Sequence, residues 1–495
     1  MSSKLIIFIL IIGVIYRLFL TSNNNFLFNM DNARDMVDVR EMVVLGKLRL
    51  IGPNSAIEGL FNGSAWYYLL AVPYIVSGGN PYGSIILEIL LWALGGFFLL
   101  KLVGRWSRWL IIPIGILWVA SNYVVLTNLY AFNPNPVVLL TPLFVYLLVE
   151  YLQKNKGIFI IIAWFLAGLF FNFEMNFGIF MPVIILVSIV LTKNIHFLRQ
   201  KWFWVGVGAF ILTLLPQIIF DLRHEFLMSK AILKYLGESG NLSILTRFQI
   251  IFSSFIDSFS ATLMNHKLFA GIILASLLFV LKKDPVVIVS LSLILVPFLG
   301  YLILPVSVNS WHLGAEMAAG IILVGFLVKR LMEKTFLIKI FSVTLFISII
   351  YFGLSNIANF FLNDLGKPNM DPSLFKNEIA AIDYVYKYAD GKNFKVYTYL
   401  PSVYDYPYQY LFWWYGQKKY GYIPGEYVYS VNKPQYIPSQ DKFQGSQENF
   451  SGLVFLIKEP DRNDTRSGWQ GPFANLATVQ KQMVGLIEIE IKKEF

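Results

Sequence analysis

A chain of 495 residues that is 56% hydrophobic, 17% aromatic and only 14% charged is not an ordinary soluble enzyme, since average soluble domains carry about 25% charged residues. Its mean hydropathy of +0.60 fits a polytopic α-helical membrane protein. The lack of cysteine excludes disulfides, thiol catalysis, iron–sulfur clusters and Cys-based zinc sites, and only four histidines argue against a His-built metal centre. The net charge of +10 does not point to nucleic acid, because the basic residues of the short loops between apolar runs have a simpler use in setting membrane orientation.

Lys4–Leu20 begins on a basic residue and lacks a small-residue cleavage site, which predicts an uncleaved first helix with Arg17 snorkelling to the headgroups. The stretch FNMDNARDMVDVREMV, residues 28–43, follows. On a helix over 31–44, Asp31, Arg34, Asp35 and Asp38 share one face, and Ala33, Met36, Val37, Val43 and Val44 share the other. That predicts an interfacial helix with Arg40 in reach of a lipid phosphate. A simpler reading makes Asp31 an N-cap and the other charges a solvated face.

Further apolar runs lie at 82–103, 109–128, 136–152, 157–173, 176–192, 203–220, 267–281, 285–304, 313–328 and 337–357, for about eleven spans in all. Alternating spans put Lys101, Arg105, Arg108, Lys154, Lys156, Lys193, Arg199, Lys201, Lys282, Lys283, Lys329, Arg330, Lys334 and Lys339 on the side of Lys4. The opposite short loops hold no Lys or Arg. The expectation is a multi-pass protein of the cytoplasmic membrane with its N-terminus inside and its C-terminus outside.

Three segments then face outward: a first loop at 21–81, a second at 221–266, and a C-terminal domain at 358–495 beyond a transmembrane domain at 1–357. In the last, FKVYTYL (394–400), GLVFLIKEP (452–460) and VGLIEIEIKKEF (484–495) alternate like strands. Residues 371–391 read as a helix with Asp371 as N-cap and Gly391 past its end, giving a small α/β domain. Its run YDYPYQYLFWWYGQKKYGY suits an aromatic core and interfacial belt, or rings that stack on sugars.

Acidic residues near lipid are costly and tend to be functional. Glu88, Glu174, Asp257 and Glu316 join Asp31 on the outer side, which suggests an acidic cavity open to the outside. PQIIFDLRHEF (216–226) ends a span with Arg223 and His224, a pair suited to a lipid-anchored phosphate or to simple snorkelling. NSWHLGAE (309–316) sets Trp311 and His312 at another helix mouth. There is no P-loop or dinucleotide fingerprint.

Taken together, DNARDMVDVREMVVLGKLRLIGPNSAIEGLFNGSAWYYLLAVPYIVSGGNP, FNPNP at 132–136 and LPQIIFDLRHEF resemble three elements of the dolichyl-phosphate-mannose–protein mannosyltransferase-like family, glycosyltransferase family 39 of the GT-C glycosyltransferases. The likeness spans roughly residues 1–330. Phe132 stands for a Trp of the family pattern, Asn135 for a Ser and Ser64 for a Pro. The resemblance implies inverting transfer from a polyprenyl-phosphate sugar to a protein, lipid or glycan acceptor. Asp31 matches the first-loop Asp that binds or deprotonates the acceptor. Many relatives follow it with Glu; here Asn32 follows, so the second carboxylate falls to Asp35 or Glu174.

Residue chemistry then assigns Arg223 and His224 to the departing phosphate. Arg34, Tyr67, Trp311 and His312 are the candidates for acceptor or sugar contacts. No nucleotide-binding fold is needed and no cofactor is marked with certainty; a divalent metal stays open, since carboxylates for it exist but no ligand spacing marks a site. Rival readings are a lipid-linked saccharide flippase or transporter, a polysaccharide ligase or polymerase of another multi-span fold, and a non-catalytic descendant whose outer domain binds.

Overall fold

The computed structural model describes residues 2–55, 57–238, 243–263, 267–278, 284–304, 308–359, 371–402, 404–431, 436–446, 448–461 and 464–494. The loop lysines Lys282 and Lys283 lie outside them. In chain order come α1 (Ser2–Leu20), α2 (Met30–Val44), β1 (Ile51–Asn54), β2 (Phe61–Gly63), α3 (Ala65–Ser77) and α4 (Tyr82–Gly104). Next are α5 (Ile111–Ala120), α6 (Asn122–Leu126), α7 (Asn135–Lys154), α8 (Gly157–Phe173), α9 (Met175–Gly178), α10 (Met181–Leu191) and α11 (Lys201–Arg223). Then come α12 (Leu227–Glu238), α13 (Ile244–Thr262), α14 (Lys267–Leu278), α15 (Pro285–Ile303), α16 (Gly314–Met332) and α17 (Phe336–Asn359). The remainder is α18 (Phe375–Ala389), β3 (Asn393–Tyr399), α19 (Tyr406–Leu411), β4 (Glu426–Val428), β5 (Phe450–Lys458), β6 (Ala477–Val484) and β7 (Ile487–Lys493), with short turns between.

Each apolar run read from the sequence is mostly helical over its described residues. Among these residues, seven helices are long and apolar enough to cross a membrane. The run at 109–128 breaks at Ser121, whose side chain caps α6, and the run at 176–192 breaks between α9 and α10. The second outer loop is not a loop: α12 and α13 occupy most of it. Its apolar residues recur at helical spacing instead of as an unbroken stretch, and α13 buries Ile251, Phe255, Phe259 and Thr262 on one stripe.

By contact the chain forms two compact units, Met1–Phe19 with Leu48–Leu69 and Ile86–Phe360, and Leu20–Lys47 with Leu70–Ile85 and Phe361–Phe495. In the first, α8 packs along α11 and α7, and α16 packs against α15, α7 and α17. Gly95 of α4 allows a close approach to α7, since a Cβ there would overlap the Leu139 carbonyl. Arg17 does not snorkel. It is fully buried, its guanidinium 3.7 Å from the Trp92 ring centre, and Nε donates to Asn128 Oδ1 at 2.6 Å. A ring face and a nearby amide replace the headgroups that the sequence suggested.

The second unit is built on a mixed sheet of order β4-β3-β5-β7-β6. β3 runs parallel to β4 and β5, and β7 runs antiparallel to β5 and β6. One face carries Tyr397, Tyr399, Val454 and Leu456 against Trp469 and Phe473. The other meets α18, where Tyr386 lies edge-on to Phe394 and Tyr388 edge-on to Phe455. Both faces are covered, so β3 is buried at successive positions over Tyr397–Tyr399. α18 starts at Phe375, three residues later than an N-cap at Asp371 would give, and Asp371 instead accepts from Ser373 N at 2.9 Å.

α2 belongs to this unit and packs on α19. Its apolar residues Ala33, Met36, Val37 and Val39 are buried in the chain's own core, so the expected burial in headgroups is not what holds it. Only Val43 and Val44, near its end, stay exposed. Arg40 likewise faces no lipid phosphate: it lies 3.7 Å from the Phe443 ring centre and 5.2 Å from that of Trp413, with its guanidinium pKa lowered by burial.

Candidate functional site

The first constellation is the acidic face of α2. Asn29 caps the helix, its Oδ1 accepting from Asp31 N at 3.1 Å and Asn32 N at 3.4 Å. Asp31 is therefore not spent on capping. Arg34 Nη1 donates to Asp31 Oδ1 at 3.1 Å, while Nε and Nη2 fork onto Asp35 Oδ1 at 3.1 and 2.9 Å. The Asp31 side chain is 37% exposed and that of Asp35 0%. Asp31 is thus the carboxylate that can meet a ligand, and Asp35 is the buried anchor of Arg34. Asn32, where relatives of the family pattern carry Glu, is buried and donates to Leu27 O at 2.8 Å.

The second constellation lies in the other unit. Glu88, Glu174 and Glu316 are all buried. Among the described residues neither oxygen of Glu316 has a hydrogen-bond partner from another residue, and Glu88 lies near the Phe132 backbone and Asn135 without a well-formed bond. Tyr123 and Tyr301 are in electrostatic range of both Glu174 and Glu316. Asn176 ties Glu174 to His312: its N–H donates to Glu174 Oε1 at 3.2 Å and its side-chain amide meets His312 Nε2 at 3.1 Å. Asn309 N donates to His312 Nδ1 at 3.2 Å.

Trp311 remains 43% exposed, edge-on to Phe132 at 6.3 Å. Tyr67 is buried in α3, away from solvent. Asp257, expected in this acidic group, is instead exposed and paired with Lys267 at 2.5 Å.

Burial pushes the Glu174 carboxyl up to about 8 against the hydrogen bonds from Asn176. Its folded pKa lies above its unfolded one, so its contribution to stability is present below about pH 4.5 and is lost as pH rises through about 8. Glu174→Gln should therefore flatten part of the fall in melting temperature between pH 5 and pH 9. Asp405, also raised to about 8 by burial, leaves a remainder. Parallel profiles of the two proteins in differential scanning fluorimetry would count against a neutral, buried Glu174.

The third constellation follows α11. Arg223 ends that helix and is exposed; the His224 ring stacks on Phe220 and bonds its carbonyl at 2.8 Å. Among the described residues neither shares a hydrogen bond or ion pair with Glu174 or His312. Asp221 caps α12, with Oδ1 accepting from Met228 N at 2.7 Å and Oδ2 from the Ser229 hydroxyl at 2.6 Å.

α12 lines an open cavity of about 520 Å³ with Lys230, Lys234, Leu227, Ala231 and Tyr235, closed on the other side by Ile57, Glu58 and Gly59 of the β1–β2 turn. Gly59 has φ +81°, and a Cβ there would lie 3.3 Å from Ala231, so a glycine serves both turn and contact. The lysines stand one helical turn apart on the cavity side. The sequence reading passed over them; their spacing in LMSKAILKYLGE was the available signal.

Among the described residues, no three His, Asp or Glu side chains come together as a metal site. No known family's sequence model matches the chain, and no curated protein matches it by sequence. Solved structures do match. ArnT from Cupriavidus metallidurans in the apo state shares 12% identity with this chain over 99% of it and 98% of ArnT, with a TM-score of 0.65. The same protein bound to undecaprenyl phosphate shares 12% identity over 99% and 98%, with a TM-score of 0.64. This end-to-end likeness takes in both the apolar helices and the C-terminal sheet: the chain has the fold of ArnT, and among its described residues seven helices are long and apolar enough to cross a membrane.

Proposed function

We propose that this protein is a membrane glycosyltransferase that moves a sugar, with inversion, from a polyprenyl-phosphate-linked donor to an acceptor on the extracytoplasmic side. The observation that carries the reading is the full-length fold likeness to ArnT, which has been crystallised with undecaprenyl phosphate. The open carboxylate of Asp31, oriented by Arg34, supplies the group that such a transfer needs. Asp31 accepts the proton of the acceptor hydroxyl as that oxygen attacks the anomeric carbon. The bond from that carbon to the phosphate oxygen breaks, and the electron pair leaves with the lipid phosphate. The leaving group gains negative charge, which calls for cations and not for a strong acid. Arg223 and His224 are joined in that role by Lys230 and Lys234, within eleven residues along the chain. The N-terminus is cytoplasmic in this reading, and the acceptor is a protein, lipid or glycan.

The test is mass spectrometry of purified protein in liposomes given a panel of polyprenyl-phosphate sugars. Consumption of one donor is expected, and turnover of none would overturn the reading. Within it, the double variant Lys230→Ala, Lys234→Ala should raise the donor KM about tenfold or more, by the loss of charge-assisted contacts. The rise should shrink at high salt, which already screens exposed lysines. An unchanged donor KM would remove the lysine cavity from donor binding.

A further inference from the structure

Beside the acidic face of α2 three tyrosines form a wall. The rings of Tyr404 and Tyr406 are nearly parallel, 28° apart with centres 5.8 Å from each other. Tyr436 stands edge-on to both, at 5.1 and 5.2 Å. Tyr404 is 44% exposed. Tyr406 lies within electrostatic reach of Arg34 and Asp38, so the wall and the polar face of α2 adjoin. Between the two outer tyrosines in sequence sits Asp405, 1% exposed. Its Oδ2 accepts from Gln409 Nε2 at 3.1 Å, while among the described residues Oδ1 has no hydrogen-bond partner from another residue. Its N–H donates to the Tyr436 hydroxyl at 3.4 Å.

We propose that this tyrosine wall, with the adjoining polar face of α2, is a subsite for a neutral saccharide ring. It deepens the transferase reading by assigning the surface on which a substrate sugar rests before Asp31 acts. An aromatic face beside hydroxyls and carboxylates matches the two sides of a sugar, one of C–H bonds and one of hydroxyls. The ring centres are too close together to admit a cation between them, so the tyrosines make a platform and not a cage. Asp31, Asp35 and Asp38 outnumber Arg34 on the adjoining helix face, which disfavours an anionic ligand.

The sugar could be that of the donor or of the acceptor, and the experiment separates them. The full chain is reconstituted in nanodiscs with fluorescent lipid and applied to an array of neutral oligosaccharides. Wild type should bind one glycan class, and Tyr404→Ala should weaken binding about tenfold. Tyr404→Phe, which keeps the ring, should bind nearly as wild type. Because Tyr404 is exposed, the alanine variant is expected to fold, and a wild-type melting temperature checks that. A soluble polyprenyl-phosphate sugar that displaces the glycan marks the donor's sugar, and failure to displace it marks the acceptor's.

No neutral glycan bound, equal binding by Tyr404→Ala, or displacement by choline would each overturn the platform. Glycan binding that depends on Tyr404 without consumption of any donor would sink the transferase reading and leave the platform standing. Donor consumption with binding indifferent to Tyr404 would do the reverse.

Discussion

Asp31→Asn should abolish sugar transfer while leaving the fold intact. The residue is the open member of the Arg34-centred group, with its side chain 37% exposed. Its size and hydrogen-bonding reach survive in Asn, but its basicity does not. Loss of a general base typically costs about 10²–10⁴-fold in rate. Folding should hold because the helix cap is Asn29, not Asp31. Folding should also hold because Arg34 keeps its fork onto Asp35. The measurement is donor consumption per mole of purified protein, beside a melting curve. Asp38→Asn is the comparison, since it lies farther along the helix. Equal, near-normal activity in both variants would make the acidic face a solvated surface and remove Asp31 from the chemistry. Lost activity together with a lowered melting temperature for Asp31→Asn alone would make its role structural.

The membrane helices were legible because an unbroken apolar run has one outcome in lipid, a helix with its backbone groups satisfied within itself. The α2 helix was legible by its periodicity, and so was the mixed α/β character of the last 138 positions, from alternation and turn residues. What periodicity could not supply was the partner of each face. Arg17 and Arg40 both looked like cations bound for headgroups, and both lie instead under aromatic rings far away in sequence, Trp92 and Phe443. A side chain's cover depends on tertiary neighbours that no local window contains.

The acidic residues divide in the same way. Glu174, Glu316 and Glu88 are buried, whereas Asp257, equally conspicuous in sequence, is paired with Lys267 at the surface. The lysine cavity was missed for a different reason. Two lysines one turn apart on an amphipathic helix are common, and only the glycine turn packed on the same helix makes them line a cavity.

Arg34→Ala should destabilise the second compact unit strongly, and more than any substitution of Asp31. Asp35 is fully buried and takes two of Arg34's donors on one oxygen, at 3.1 and 2.9 Å. Removing the cation takes the paired charge away from a carboxylate buried in the core, and breaking a buried pair costs roughly 3–5 kcal/mol. Arg34→Lys should recover only part of this, because one ammonium cannot reproduce a planar fork that also reaches Asp31. The informative variant is the double change Arg34→Ala, Asp35→Asn. Neutralising the buried acid should restore most of the melting temperature lost by Arg34→Ala, as paired buried charges couple. Transfer activity should stay low in the restored protein, since Asp31 has lost the donor that orients its Oδ1. Recovery of stability and activity together would reduce Arg34 to a counter-ion for Asp35. A single variant as stable as wild type would show that Asp35 finds compensation elsewhere in the core.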